Sequence, residues 1–319
     1  MRVVFFAKAH KRSGITDHME RGLSALGHEV LRINRRRLER VVGRKLAWWV
    51  IRRRIVKFAP DVVLVFTFDL PPHRISELRE LARTTTFFDD CPLVLTDRIK
   101  AAVAASDAFF ITSRGQVKQY EDELGVTPGY VTGGCDPLDH FRVEPNPEFV
   151  SDVAFIGQAD ERGGRVAVLK ELAKHYEVKV YGRGWSEVGL PATRENVYPP
   201  QYREICNSAR VVIGNDLRQD VDLYFSNRTW ISLGCGAFLC TRHVPNLEEL
   251  LPDGELCAHF RDEHDAVRVV GEWLARPEDR ARVAAAGHAF AHAEYSYARM
   301  LERMLAHPAL APRTLAGSR

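Results

Sequence analysis

The residues best suited to chemistry lie in a polar stretch, Ser226 to Arg228, that directly precedes an apolar helical pattern. Trp230 and Leu233 follow at the spacing of one helix face, so a helix is predicted to begin near Asn227. The first backbone N–H groups of a helix have no partner within it, and the positive end of its dipole lies there. Together with the Arg228 guanidinium, such a helix start favours binding of a phosphate group.

A second candidate anion site follows a predicted strand over residues 153–156. Gly157 ends this strand, a polar loop follows, and Arg165 stands in the first turn of the next predicted helix. A strand, a glycine-containing loop and a helix with an early arginine can cradle a phosphate. The spacing is neither that of a Walker loop nor Gly-x-Gly-x-x-Gly, so the pattern alone has low specificity.

Two adjacent carboxylates, Asp89 and Asp90, follow a predicted strand over residues 84–88. Carboxylates at the end of a parallel strand can bind sugar hydroxyls or act as a catalytic base. They can equally cap the next turn, and the sequence leaves both interpretations open.

The loop after the first predicted strand contains His10, Ser13 and Gly14. It lies at the carboxyl end of that strand, where open α/β sheets place ligands, and Gly14 allows close approach of the backbone. His10 is a candidate for contact with an acceptor substrate. The alternative is an ordinary solvated loop histidine.

Alternating apolar strands and amphipathic helices position these residues. Residues 2–31 follow the order strand, loop, helix, strand, which predicts a parallel β-α-β unit. The order restarts after the proline-containing linker at 137–150. We therefore predict an α/β protein with one lobe over 1–143, a second over 150–294 and a last helix over 295–307. A chain of 319 residues, 45% of them hydrophobic, is sufficient for two cores.

A basic segment stands out within the net charge of +3, since residues 32–57 contain eleven Lys/Arg and one Glu. Apolar residues, including Trp48 and Trp49, recur among the charges and predict an amphipathic helix or a pair broken near Gly43. Three interpretations remain open: a solvated helix packed on the sheet, docking on an anionic lipid surface or lipid-linked acceptor, and nucleic-acid binding. The last is disfavoured because no base-reading motif is present.

Other features exclude several classes. No run of eighteen apolar residues predicts a membrane-spanning helix, and the first strand lacks a cleavage site, so a cytoplasmic protein is expected, with peripheral attachment at the inner membrane face as an option. The six cysteines form no Cys-x-x-Cys pair and are predicted to be free thiols. His288 and His292 lack a third ligand nearby in sequence, and hydrolase, zinc-protease and Walker motifs are absent.

Several motifs together resemble one family. Residues 225–241 read Phe-Ser-Asn-Arg-Thr-Trp-Ile-Ser-Leu-Gly-Cys-Gly-Ala-Phe-Leu-Cys-Thr, and Glu-Glu-Leu follows at 248–250. Gly-Arg-Gly-Trp ends a strand at 182–185, and Ser-Asp-Ala-Phe-Phe-Ile-Thr-Ser stands at 106–113. This set is similar to the CgeB-like (spore maturation protein) glycosyltransferases, which are related to glycosyltransferase family four and share its GT-B fold.

The resemblance covers nearly the whole chain and implies a GT-B architecture of two Rossmann-like, doubly wound lobes with an interdomain cleft. It implies a UDP- or GDP-linked nucleotide-sugar donor in the second lobe, an unidentified acceptor on the first, and no metal ion or other cofactor. In that fold the last helix crosses back to the first lobe. The implied donor contacts are Gly157, Arg165, Gly182, Gly184, Trp185, Ser226, Asn227, Arg228 and Glu248.

The sequence departs from the family at two positions. Family four places glutamates where this chain has Ile231 and Leu223, and one of those glutamates holds the nucleotide ribose. The ribose contact must then come from elsewhere, with Asp222 and Glu248 as candidates, or the donor is unusual. A third possibility is a protein that binds sugar nucleotides or glycans without catalysis.

Overall fold

The computed structural model describes residues 1–8 and 14–311, which form two α/β units. The first unit contains residues 1–132 and the chain from Tyr297 onward, and the second contains Gly133–Ser296. Residues 133–143, which the sequence assigned to the first lobe, thus lie in the second unit. Within that unit the Cys135 N–H donates to the carbonyl of Tyr295 over 2.9 Å.

The first unit is built on a six-stranded parallel sheet in the order β2-β1-β3-β4-β5-β6. Its strands are β1 (Arg2–Phe6), β2 (Glu29–Ile33), β3 (Val62–Phe66), β4 (Arg83–Phe88), β5 (Ala108–Ile111) and β6 (Gly129–Tyr130). The helices before residue 132 are α1 (Ile15–Ala25), α2 (Arg35–Val42), α3 (Arg44–Phe58), α4 (Pro72–Leu78), α5 (Asp97–Ala105) and α6 (Val117–Leu124). Strand order reverses between β1 and β3.

The second unit is built on a five-stranded parallel sheet in the order β11-β10-β9-β7-β8. Its strands are β7 (Ser151–Ile156), β8 (Val178–Tyr181), β9 (Ala209–Gly214), β10 (Leu239–Arg242) and β11 (Ala258–Phe260). Its helices are α7 (Arg165–Leu172), α8 (Pro199–Ser208), α9 (Arg228–Gly234), α10 (Glu263–Leu274) and α11 (Pro277–Glu294). The chain leaves β7 to one side for β8 and returns to the other side for β9, so a topological switch point lies between β7 and β9.

The last helix, α12 (Tyr297–Leu305), completes the core of the first unit. Tyr297, Leu301 and Met304 are buried in one cluster with Val3 and Phe5 of β1. The helix packs along α1, whose Gly22 approaches so closely that an added Cβ would lie 3.0 Å from Leu301.

The predicted α/β class is confirmed, and the reason is visible in the strands. The continuous apolar run at 62–66 is β3, whose first four residues are buried because helices cover both faces of a parallel sheet. Helix α5 was not predicted, although Thr96 caps it by accepting the N–H of Ile99. All six cysteines are buried thiols, and none of them forms a disulfide bond.

Candidate functional site

Arg165 marks the switch point of the second sheet. Its side chain is 4% exposed, Nε donates to the carbonyl of Asn215 (3.1 Å), and Nη1 donates to the carbonyl of Gln158 (2.8 Å). Gln158 follows β7 and Asn215 follows β9, so one buried guanidinium ties together the loops at the carboxyl ends of both strands. Open α/β sheets bind ligands at this place.

Arg228 lies at the same edge, at the start of α9. Its Nη2 forms an ion pair with Asp216 Oδ1 at 3.0 Å, and Nε donates to Ser226 Oγ at 3.1 Å. The side chain is 31% exposed, whereas that of Asp216 is 8% exposed. Within the described part of the chain, Nη1 has no hydrogen-bond acceptor, so the guanidinium retains one donor for a ligand.

The charges at this corner favour an anion. Burial, followed by the nearby charge of Arg228, lowers the pKa of Arg165 to about 10, so the Arg165 guanidinium remains charged at neutral pH. The Asp216 carboxylate balances one of the two guanidinium charges. A bound phosphate would balance the other through a charge-assisted contact with the partly exposed Arg228 guanidinium.

Because Gly157 has no side chain, there is space for the Arg228 guanidinium beside it. A Cβ at this position would lie 2.5 Å from Arg228 Nη1, closer than side-chain contacts allow. The residue thus lets the guanidinium lie directly against the backbone after β7.

Gly182, Gly184 and Trp185 support the loop after β7 from the β8 side. Trp185 is fully buried, stacks edge-on against Phe155, and donates from Nε1 to the carbonyl of Gly157 (2.8 Å). Gly182 has φ +131°, and a Cβ there would lie 2.1 Å from that same carbonyl oxygen. The indole therefore contributes through packing behind the site, and its predicted contact with a ligand stays a prediction.

Asn227 precedes α9 but does not cap it with its side chain. Its Oδ1 instead accepts the N–H of Gly134 at 2.6 Å. Helix α9 has only seven residues, so the dipole invoked from the sequence is short. The positive charge at this corner comes mainly from the two arginines.

A small cavity lies beneath Arg228 and includes Asn215, Asp216 and Ser232 in its lining. Its volume is about 10 Å³, close to the minimum that one water needs. A nucleotide is far too large to fit inside this cavity.

Glu248 lies in a 3-10 turn, Leu247–Glu249, after β10. Its Oε1 is 2.7 Å from His243 Nε2, and one ligand atom from each of His243, Glu248 and His259 lies within 4.8 Å of the others, a set that could hold zinc. Ligands around tetrahedral zinc stand about 3.4 Å apart, so this pair would have to open to bind the metal. The distance fits a hydrogen bond between the imidazole and the carboxylate better.

The two positions that depart from the family carry no carboxylate and have little access to solvent. Leu223 is buried, with φ +44°, and its N–H donates to the carbonyl of Pro245. Ile231 is partly buried in the core beside α8. Asp222, a candidate for the ribose contact, accepts a hydrogen bond from Asn246 Nδ2 at 2.8 Å on the exposed surface.

His288 and His292 lie one turn apart on α11 and share one acceptor. His288 Nδ1 and His292 Nε2 each lie 2.9 Å from the carbonyl of Gly234 at the end of α9. They are therefore packed residues that satisfy a helix end.

In the first unit, Asp89 and Asp90 follow β4 as predicted. Asp90 Oδ1 accepts the N–H of Cys91 at 2.8 Å, which is a local turn contact. Burial, and then the neighbouring Asp90 charge, raises the pKa of Asp89 to about 6. A carboxyl group with this pKa can accept a proton near neutral pH.

The acceptor-side loop is described only at Gly14, since His10 and Ser13 lie outside the described residues. Gly14 precedes α1, and its N–H donates to Asp17 Oδ2 at 3.0 Å. Its role toward an acceptor stays a prediction.

Asp89 should make stability depend on pH. Its folded-state pKa lies above the ordinary value of 3.8, so the folded protein holds an extra proton and loses stability as pH rises from about 4 through 6. The neutral variant Asp89→Asn should match the wild type near pH 4 and exceed it by about 2–3 kcal/mol near pH 7. Urea unfolding at the two pH values measures this, and an equal difference at both would contradict the raised pKa.

The residues that anchor the two arginines were not predicted from the sequence. Asp216 and the backbone carbonyls of Gln158 and Asn215 were not singled out. Asn215 and Asp216 directly follow the strand that ends at Gly214, and this position at the carboxyl edge was the available signal.

Sheet topology and the site at the strand ends define the class: this is the GT-B fold of glycosyltransferases, with two Rossmann-like parallel sheets. Residues 165–306 match a family model described as glycosyl transferase-like. This matched segment includes both arginines. No curated protein matches the sequence significantly.

Solved structures show the same fold at low identity. A glycosyltransferase from Rickettsia africae matches with TM-score 0.67 and 13% identity over 95% of this chain and 96% of its own. HepE from Anabaena, in complex with UDP and glucose, has TM-score 0.65 and 11% identity over 95% and 98%. Sucrose-phosphate synthase from Thermosynechococcus elongatus has TM-score 0.65 and 11% identity over 95% and 97%. Among the described residues, no helix is long and apolar enough to cross a membrane.

Proposed function

We propose that this protein is a glycosyltransferase that moves a sugar from a UDP- or GDP-linked donor to an acceptor without a metal ion. The observation that carries the proposal is the pair of guanidiniums, Arg165 and Arg228, at the switch point between β7 and β9. The family match over 165–306 supports the same reaction class. The complexes of HepE with UDP, and with UDP-glucose, support a uridine nucleotide as the first donor to test.

In the proposed reaction, the bond between the sugar carbon and the diphosphate oxygen breaks, and a bond to an acceptor oxygen forms. The departing diphosphate gains negative charge. Arg228 stabilises this charge through a hydrogen bond from Nη1, and Arg165 stabilises it by longer-range electrostatic attraction. The acceptor loses a proton. Asp89, with its raised pKa, is our candidate base for it, Asp90 tunes that pKa, and His10 is a further acid-base candidate.

The remaining predicted contacts take supporting roles in this proposal. Gly157, Gly182, Gly184 and Trp185 shape the loop that faces the diphosphate, and Ser226 and Asn227 hold the start of α9. Glu248 is our candidate for the ribose contact that Ile231 and Leu223 do not supply. Ser13 and Gly14 belong to the acceptor side.

Binding without catalysis is the second candidate function, because Ile231 and Leu223 replace both family glutamates. The two functions differ in the fate of the donor. A competent transferase slowly passes sugar to water when no acceptor is present, whereas a binding protein returns the donor intact.

The test is a thermal-shift and calorimetric screen against UDP, GDP, ADP and their glucose conjugates, with and without EDTA. A ligand that binds the folded state raises its melting temperature, and we expect this for UDP or GDP in both conditions. Release of free sugar from the bound donor then separates transferase from binder. Binding of no nucleotide would overturn the proposal, and binding lost in EDTA would overturn its metal-free form.

A further inference from the structure

Helices α2 and α3 expose apolar side chains that have no packing partner. Helix α2 buries none of its residues. Val41 is 75% exposed, Trp49 57%, Val56 54% and Leu46 50%. Trp48 gives the contrast, since it is buried and donates from Nε1 to Glu77 at 2.9 Å.

The exposed apolar residues of α3 form one stripe that also contains Arg53. Leu46, Trp49, Arg53 and Val56 recur at three- and four-residue intervals, which places them on the same side of a helix. The opposite side packs into the unit through Ala47, Ile51 and Ile55, which are fully buried. Helix α3 therefore carries apolar residues on both sides, and only the side with Ala47, Ile51 and Ile55 packs into a hydrophobic core.

Cations surround this stripe. Arg53 lies over the Trp49 ring at 5.5 Å, which leaves its charge beside the most exposed aromatic group. Among the residues that the structure describes, eight exposed cations of α2 and α3 form no ion pair: Arg37, Arg40, Arg44, Lys45, Arg52, Arg53, Arg54 and Lys57. We call these eight cations, together with the exposed apolar residues Val41, Leu46, Trp49 and Val56, the basic-apolar face.

A groove of about 540 Å³ adjoins this face at the start of α2. Among described residues it is lined by Lys8, Asn34, Arg36, Glu39, Arg40 and Arg44, and Arg40 and Arg44 belong to the face as well. Four cations and one carboxylate line a space within the size range of ligand pockets. Its charge suits an anionic headgroup.

We propose that the basic-apolar face docks the protein on an anionic lipid bilayer. Trp49 and Leu46 enter the headgroup region, Arg and Lys contact lipid phosphates, and the groove receives one headgroup. The apolar stripe decides between this and nucleic acid, because phosphate attraction needs only the cations and gains nothing from exposed Leu46, Trp49 and Val56. The inference does not depend on the proposed catalytic activity.

Vesicle sedimentation with the full-length protein tests the proposal. We expect binding to vesicles of phosphatidylcholine mixed with phosphatidylglycerol, little binding to phosphatidylcholine alone, and weaker binding as salt is raised. The double variant Leu46→Gln/Trp49→Gln should bind at least about tenfold more weakly, since it removes the apolar contact while leaving every charge. Arg52→Gln should weaken binding about fivefold, as expected for one charge near an anionic surface.

Matched controls separate the face from general surface chemistry. Leu93 and Val94 are 75% and 67% exposed elsewhere in the first unit, so Leu93→Gln/Val94→Gln makes the same change away from the face and should leave binding intact. Lys170→Gln, on α7, is the charge control. Absence of binding to anionic vesicles, or equal binding by the Leu46/Trp49 variant and its control, overturns the proposal. Binding to duplex DNA that survives the Leu46/Trp49 change, without vesicle binding, assigns the face to nucleic acid instead.

Discussion

Arg228→Ala is expected to lower kcat/KM for the nucleotide-sugar donor by about 10²–10³-fold. The guanidinium supplies charge and a hydrogen-bond donor where the departing diphosphate becomes more negative, and loss of one such group costs this much in comparable sites. Affinity for the free nucleoside diphosphate should fall as well. Arg228→Lys should recover only part of the loss, since an ammonium group cannot keep the contacts to Asp216 and Ser226 while also meeting a phosphate.

Two controls separate lost function from lost stability. Arg228→Ala leaves the buried Asp216 carboxylate without its partner, which should itself cost about 1–3 kcal/mol of stability. Arg228→Ala/Asp216→Asn removes that buried charge and should regain stability without regaining nucleotide affinity. Arg210→Ala breaks the ion pair with Asp152 at the opposite end of β9 and should leave affinity unchanged. Unchanged nucleotide affinity in a folded Arg228→Ala protein would remove the basis of the proposed function.

Gly182→Ala should destabilise the second unit by about 3 kcal/mol or more. The added methyl group would lie 2.1 Å from the Gly157 carbonyl oxygen, and φ +131° is a conformation that alanine rarely adopts. Relief of the overlap requires the loop after β7 to move, which also displaces the acceptor of the Trp185 indole. The midpoint of urea unfolding measures the loss.

Gly189→Ala is the matched control for this substitution. Gly189 also has a positive φ, +80°, but an added Cβ would meet nothing within 4 Å. It should therefore show only the backbone strain, about 1–2 kcal/mol. A loss of the same size in both variants would show that the close approach to Gly157 contributes nothing.

The fold was readable from the sequence because its strands are short, apolar and separated by amphipathic helices. The predicted strands over 84–88 and 153–156 lie within β4 and β7, and the predicted break near Gly43 separates α2 from α3. Helix α5 was not predicted because its alanine-rich sequence shows no strong helical periodicity of large apolar residues. The sequence does contain a start signal for this helix, Thr96 followed by Asp97.

The candidate site was readable only in part. Arg165, Arg228 and Gly157 could be proposed because glycine and arginine at strand ends have a local meaning. The partnership of Arg228 with Asp216 joins residues twelve apart, and the contact of Asn227 with Gly134 joins residues 93 apart. Such pairings depend on the register of the sheet and on loop packing, which a single sequence does not encode locally. The burial of Trp185 likewise depends on contacts with residues distant in sequence, Phe155 and Gly157.

The position of α12 has a consequence for biosynthesis. Tyr297, Leu301 and Met304 fill the core around β1, yet the ribosome makes them after every residue of the second unit. The first sheet therefore lacks part of its hydrophobic core until α12 has been synthesised. All residues of the second unit have been synthesised by then, so its core can already be complete. Vectorial synthesis thus favours maturation of the second unit before the first.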